Sequence, residues 1–221
     1  MIRQAILLAD QRKEMKKMAI RENREYRNMP MVQIRKKEEG SNESSFLVEG
    51  YASTFEEYVL FEEDGIQYKE KILPEAFEGT DFSDVVFLKD HTGTVLARTK
   101  NGTLQISVDE NGLFTKTDLS KTSASRQMFE EIESEMYSQM SFAFIVDDDE
   151  YNTTEHLRTI RHITKLYDVS AVSFPANPTT DISVATRSRF DGFIEQEKAE
   201  RLAREQEIEV ARQKYLYEKE K

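Results

Sequence analysis

SQMSFAFIV, residues 138–146, reads as a β-strand that opens with a serine, Ser141, set between the bulky apolar residues Met140 and Phe142. Most serines in strands only pack, so the stretch fixes a strand before it fixes any chemistry. The segment leading into it is of a different kind. In SKTSASRQMFEEIESEMY, residues 120–137, Ala124, Met128, Ile132 and Met136 recur every four residues with Phe129 beside them, the period of an amphipathic helix. Ser120, Thr122 or Ser123 is placed to cap it, and the helix hands the chain directly to the strand of Ser141.

Further out on both sides, short apolar runs recur between turn signals: FLVEGYAS (46–53), VVFLKD (85–90), LQISVD (104–109), GLFTKTDL (112–119) and IRHITKLYDVSAVSF (160–174). These are strand patterns. Asp64-Gly65, Asn101-Gly102 and Asn111-Gly112 supply residues that tolerate positive φ, and two of the pairs lie between plausible hairpin arms. LPEAFEG, residues 73–79, is a short helix signal with Pro74 at its start. Strands wrapped by a few helices predict an α+β domain built on an antiparallel sheet or barrel.

The ends differ in composition from this middle. Residues 1–37 carry 11 Lys+Arg against 4 Asp+Glu, a net +7, which leaves −18 for the remainder of a chain whose total is −11. DQRKEMKKMAIRENREYR is rich in helix formers, with Met15, Met18 and Ala19 at helical spacing, and predicts a basic helical arm. Such an arm suits an acidic protein partner. Nucleic acid is the weaker expectation, because beyond Tyr26 the arm lacks interleaved aromatics and carries no recognised binding motif. Residues 38–45 are a polar Glu/Gly/Ser/Asn run without an apolar side chain and read as a linker. The compact domain is then 46–186, and 187–221 is a charged segment that reads as a solvated single helix rather than a strong coiled coil, its apolar residues being too sparse for a regular heptad seam, with a docking helix as the other reading.

Composition narrows the chemistry. With 38% hydrophobic and 33% charged residues the chain has a globular, polar make-up, and no stretch approaches the roughly 20 apolar residues of a membrane span. "AILLA" near the N-terminus is too short for a secretory signal core, so a soluble protein with no membrane partner is the expectation. Zero cysteines exclude disulfides, thiolate zinc sites and thiol nucleophiles, leaving Ser, Thr, His and carboxylates.

A serine needs a base to attack a carbonyl at neutral pH. Of the three histidines, His91 is best placed, at the end of VVFLKDH where a strand runs into the turn TGT. His156 lies in a polar loop, and His162 alternates along a strand. Asp168 interrupts the apolar run KLYDVSAVSF; it is either an edge residue facing water or a buried carboxylate with a partner. A histidine is a suitable partner, since the carboxylate would fix the imidazole tautomer. No helical His-Glu motif supports a metal hydrolase using His91, Asp90, His156 or His162, so neither metal nor cofactor is expected.

Taken in order, VEGYAS, KILPEAF, the strand ending in KDH with LART after it, MSFAF after an amphipathic helix, and LYDVSAVSFPANP resemble the tailed-phage prohead protease family, related to herpesvirus assemblin. The resemblance runs from about Val48 to Asn177. It implies a β-barrel surrounded by helices, which with the hairpin signals and the helix-forming ends makes an antiparallel barrel with helical extensions, and a serine endopeptidase of virus capsid maturation with His91, Ser141 and Asp168 as its catalytic residues. Its implied substrates and partners are the scaffolding protein, the major capsid protein and the protease's own ends, met inside the immature prohead in the host cytoplasm. Ala97, Ala143 and Glu75 stand where the family usually has glycine. The related herpesvirus enzymes use a second histidine as third member, which keeps His162 in play beside Asp168. A shell or scaffold component that keeps the fold without cleaving anything is the competing class.

Overall fold

The structure, a computed structural model, describes residues 23–33, 35–36, 46–173 and 184–219. It divides into two units, residues 1–185 and 186–221. Within the first, the described strands are β1 (Glu25–Gln33), β2 (Arg35–Lys36), β3 (Leu47–Thr54), β4 (Tyr58–Glu63), β5 (Ile66–Ile72), β6 (Val86–Lys89), β7 (Thr92–Arg98), β8 (Leu104–Val108), β9 (Gly112–Asp118), β10 (Gln139–Asn152) and β11 (Leu157–Val172), with helix α1 (Ser123–Glu133). The second unit contains all but the first two residues of the long helix α2 (Val184–Lys219).

The strands make two sheets. One has seven strands, with the path β1-β10-β11-β5-β4 and with β6 and β7 joined to it through β11; the other runs β2-β3-β9-β8. Among the described residues the strands, with helix α1, make a mixed α+β unit of two sheets in which no closed barrel is seen. The antiparallel expectation needs amending, because β11 pairs in parallel with β5 and with β6. From Asp168 to Val172 β11 is buried on both faces, the setting in which parallel pairing occurs. Val48, Leu104 and Leu113 from the smaller sheet join Phe87, Met140, Phe142, Phe144, Ile163 and Val169 from the larger in one buried cluster, closed by Met128, Phe129 and Ile132 of α1.

Local signals explain most elements. Thr122 caps α1 through its side chain, which accepts from the Ser125 N–H. Asp64-Gly65, both at positive φ, turn β4 into β5. LPEAFEG forms a single 3-10 turn, Pro74–Phe77, with Ala76 and Phe77 buried. β10 is buried on both faces from Met140 to Phe144 and lies inside the sheet between β1 and β11. Its ladder with β11 breaks register four times between Ala143 and Asp149, and register breaks of this kind bend and twist a strand.

The basic arm departs from expectation. Residues 25–33 are strand, paired antiparallel to β10, where the sequence predicted helix. Pro30 is unsuited to a helix interior, and the pairing with β10 outweighs the helix propensity of ENREYR. Residues 1–22 and the linker 38–45 lie outside the described residues. The charged C-terminal run is helix, and Leu202, Ile208, Val210 and Tyr217 on it are all more than half exposed. No helix among the described residues is long and apolar enough to cross a membrane.

Candidate active site

His91 sits on a two-residue hairpin. Lys89 and Thr92 face each other across β6 and β7, so the connection is Asp90-His91 alone, and both residues have positive φ, 47° and 56°. This is the backbone that the right-handed twist of a two-residue hairpin requires, but side chains other than Gly, Asn and Asp rarely adopt it, so the turn holds a local strain of order 1 kcal/mol or more. Three hydrogen bonds clamp it: the Asp90 N–H donates to the Ala171 carbonyl (3.0 Å), the His91 N–H to Ser170 Oγ (3.2 Å), and the Ser173 N–H to Asp90 Oδ1 (3.3 Å). The sequence pointed to a turn at TGT; Thr92, Gly93 and Thr94 are instead the first residues of β7.

Ser141 and Asp168 come from adjacent strands. Asp168 pairs with Ala143 across β10 and β11 and with Val86 on its other side, so it belongs to an interior strand and is 2% exposed. Its Oδ1 accepts from His91 Nδ1 at 2.6 Å and from Ser170 Oγ at 2.9 Å. Since a carboxylate only accepts, the proton of that bond lies on Nδ1, which leaves the Nε2 lone pair facing Ser141. Ser141 Oγ lies 2.6 Å from that nitrogen. The structure thus brings together, in one line, a hydroxyl, an imidazole and a buried carboxylate, the arrangement that lets a hydroxyl lose its proton as it attacks.

Ser170 was missed by the sequence reading. Its hydroxyl donates to Asp168 and accepts from the His91 backbone, tying the strained turn to the carboxylate. The signal was present in DVS, because residues two apart on a strand share a face.

His162 lies elsewhere. Its Nδ1 meets Asp147 Oδ1 and its Nε2 the Glu78 carbonyl, and the Asp147 carboxylate beside it raises its pKa. His156 packs edge-on against the Tyr68 ring. Arg98, beside the substituted Ala97, makes a two-pronged ion pair with Asp84. Among the described residues no group of three or more His, Asp or Glu is arranged to hold a metal ion.

The site is covered. Ser141 is 0% exposed, and β1 lies along β10 with Asn28 opposite Ser141 and Arg27 opposite Phe142. Ser141 Oγ is 2.7 Å from the Arg27 carbonyl oxygen, and the Tyr26 ring meets the His91 ring edge-on at 4.7 Å. Beyond Tyr26, Glu25 and Arg27 point into a buried cluster with Glu70 of β5 and Arg158 of β11, all at most 2% exposed. Burial disfavours the charged form of Glu25, yet Arg27 and Arg158 outweigh it and hold the carboxyl well below the usual range.

Residues 31–192 match the family model of the caudovirus prohead serine protease. No curated protein and no solved structure matches the chain. His91, Ser141 and Asp168 all lie inside the matched span, whereas Glu25, Tyr26 and Arg27 precede it.

Proposed function

The chain belongs to the caudovirus prohead serine protease family, and from that premise we propose that it is a serine endopeptidase of capsid maturation with Ser141 as nucleophile, His91 as general base and Asp168 as the group that orients His91. The observation that carries this reading is the unbroken line from Ser141 Oγ to His91 Nε2 and from His91 Nδ1 to Asp168 Oδ1, 2.6 Å at each step. His91 takes the hydroxyl proton as Oγ adds to a peptide carbonyl, then delivers it to the departing amine, leaving an acyl-enzyme that water cleaves by the same route. Asp168 steadies the imidazolium formed on the way. No metal or organic cofactor is needed for these steps.

The substrates in this reading are scaffolding protein, major capsid protein and the chain itself, met inside the immature shell within the host cell. A second reading, a non-catalytic shell component that keeps the protease fold, draws on the complete burial of Ser141 under β1.

One experiment separates them. The purified chain and its Ser141→Ala variant are incubated with scaffolding and capsid protein, with and without a chelator, and products are read by mass. Cleavage that depends on Ser141 and survives chelation supports the protease; loss in chelator with rescue by zinc would move the chemistry to a metal, and no cleavage at all would favour the shell component.

A further inference from the structure

Resting on that reading, we propose that β1 is bound as the enzyme's own substrate: the Arg27–Asn28 peptide is its self-cleavage bond, and the pocket holding Glu25 and Arg27 makes it selective for arginine before the cut with glutamate two residues earlier.

The backbone supplies the first part. A peptide presented to a serine nucleophile by strand addition pairs with an exposed sheet edge, and β1 pairs antiparallel with the strand that carries Ser141. The peptide group at the nucleophile is the one between Arg27 and Asn28. With the Arg27 oxygen 2.7 Å from Oγ and a C=O bond of about 1.23 Å, the carbonyl carbon lies within about 4 Å of the nucleophile, close to the separation of a near-attack conformer. Past Asn28 the ladder lapses: β1 takes five residues to Gln33 where β10 takes two, from Ser141 to Gln139. The leaving side is therefore held less regularly than the acyl side.

The side chains supply the second part. Arg27 grips Glu70 with two bonds, Nε to Oε1 at 2.5 Å and Nη2 to Oε2 at 2.7 Å. Tyr58 OH and Arg158 Nη1 also donate to Glu70, which fixes the carboxylate. Arg158 in turn holds Glu25 with two bonds, 2.7 and 2.9 Å, while its Nε is anchored on Asp149 at 2.6 Å. Glu70 therefore reads the residue before the cut and Arg158 the residue two earlier, each by the fork geometry that a guanidinium and a carboxylate share. Tyr26, between them, faces the other way onto His91, as strand alternation requires.

The chemistry balances within the chain. Oγ bonds to the Arg27 carbonyl carbon as its proton moves to His91; the Arg27–Asn28 bond breaks, and the Asn28 nitrogen takes that proton. Water, losing one proton to His91, then attacks the ester; His91 passes that proton to Ser141 Oγ as it leaves, and the Arg27 carboxylic acid releases the other to solvent, leaving the carboxylate. Before this, the single hydroxyl proton has two competing acceptors, the Arg27 oxygen and His91 Nε2, and attack begins only when it turns to the imidazole.

The test follows the full chain and its Ser141→Ala variant by intact mass over days, beside turnover of a peptide with the sequence of residues 22–33 and of versions with Arg27→Ala, Arg27→Glu or Glu25→Ala. Expected are a Ser141-dependent cut between 27 and 28, at least a hundredfold loss of kcat/KM for Arg27→Ala and more for Arg27→Glu, at least a tenfold loss for Glu25→Ala, and collapse of the arginine preference in Glu70→Gln enzyme. Should Glu70→Gln fail to fold, the peptide series on the wild-type enzyme decides. Absence of either the cut or the arginine preference, with Ser141-dependent cleavage of scaffold or capsid protein intact, overturns this proposal and leaves the protease standing. Absence of all Ser141-dependent cleavage overturns both.

Discussion

Replacing Asp168 by Asn separates catalysis from folding in a way the geometry makes quantitative. In the proposed mechanism His91 takes the Ser141 proton, and the imidazolium so formed would lie 2.6 Å from the Asp168 carboxylate. Two unit charges about 4 Å apart at an effective dielectric near 20 attract by about 4 kcal/mol, or roughly three decades of rate at 1.36 kcal/mol per decade. An amide can also favour the imidazole tautomer with its lone pair turned from Ser141, and the combined loss in kcat is about ten-thousandfold. The fold should hardly notice. Before the proton moves, Asp168 is a nearly buried charge, which is costly to keep, and removing it spares the shape of the site. We expect the melting temperature of Asp168→Asn to fall by no more than about 4 °C, equivalent to about 1–2 kcal/mol for a domain of this size. The assay pairs single-turnover cleavage of a peptide with thermal unfolding. Turnover within tenfold of wild type would refute the role given to Asp168; unfolding in parallel with the lost activity would reduce it to a structural residue.

Ser170→Ala removes the tie between the Asp90-His91 turn and the carboxylate and should lower kcat about tenfold, the rate equivalent of one hydrogen bond, with KM little changed in steady-state kinetics. His162→Ala should leave peptide turnover within twofold, because its partners are Asp147 and Glu78; a dead His162→Ala enzyme would restore it as third member. Gly112→Ala would place a methyl 1.9 Å from the Ser53 carbonyl oxygen, and the forced backbone shift should cost about 3 kcal/mol, seen as an earlier urea midpoint. Because the Glu25 carboxyl is held below its usual value by Arg27 and Arg158 after burial has worked against it, its contribution to stability is complete above about pH 4.5 and is lost as pH falls below that. Glu25→Gln should flatten the acid limb of a stability-versus-pH curve measured by denaturant titration.

Much of the site was legible because its residues sit in local patterns. His91 ended an apolar strand, Ser141 followed an amphipathic helix, and Asp168 was the lone charge in an apolar run. What escaped was non-local. The alternation of Glu25 and Arg27 about Tyr26 has the period of a strand, but among so many helix formers it read as a solvated helix; only the pairing with β10 and the cluster with Glu70 and Arg158 give it another meaning. Likewise KDHTGT holds two possible turns, and the choice of Asp90-His91 depends on clamps from Ala171, Ser170 and Ser173, some eighty residues away. Parallel pairing of β11 with β5 and β6 left no trace in any single run.

The broken register between β10 and β11 has a consequence for how such an enzyme changes its taste. Arg158 is opposite Tyr151 and Glu25 is opposite Phe144, seven positions apart along β10. On a straight strand that is about 23 Å, farther than the two side chains reach together, yet they are in contact. Register shifts between β10 and β11 lie between the two places, and shifts of this kind bend a strand, which accounts for the contact. On the proposed reading, deleting a single residue among 145–149 should shift β10 against β11 beyond Ala143 and change what the Arg158 guanidinium meets, while the pairs from Gln139 to Ala143 keep their register: selectivity would then be adjustable apart from the proposed catalytic residues.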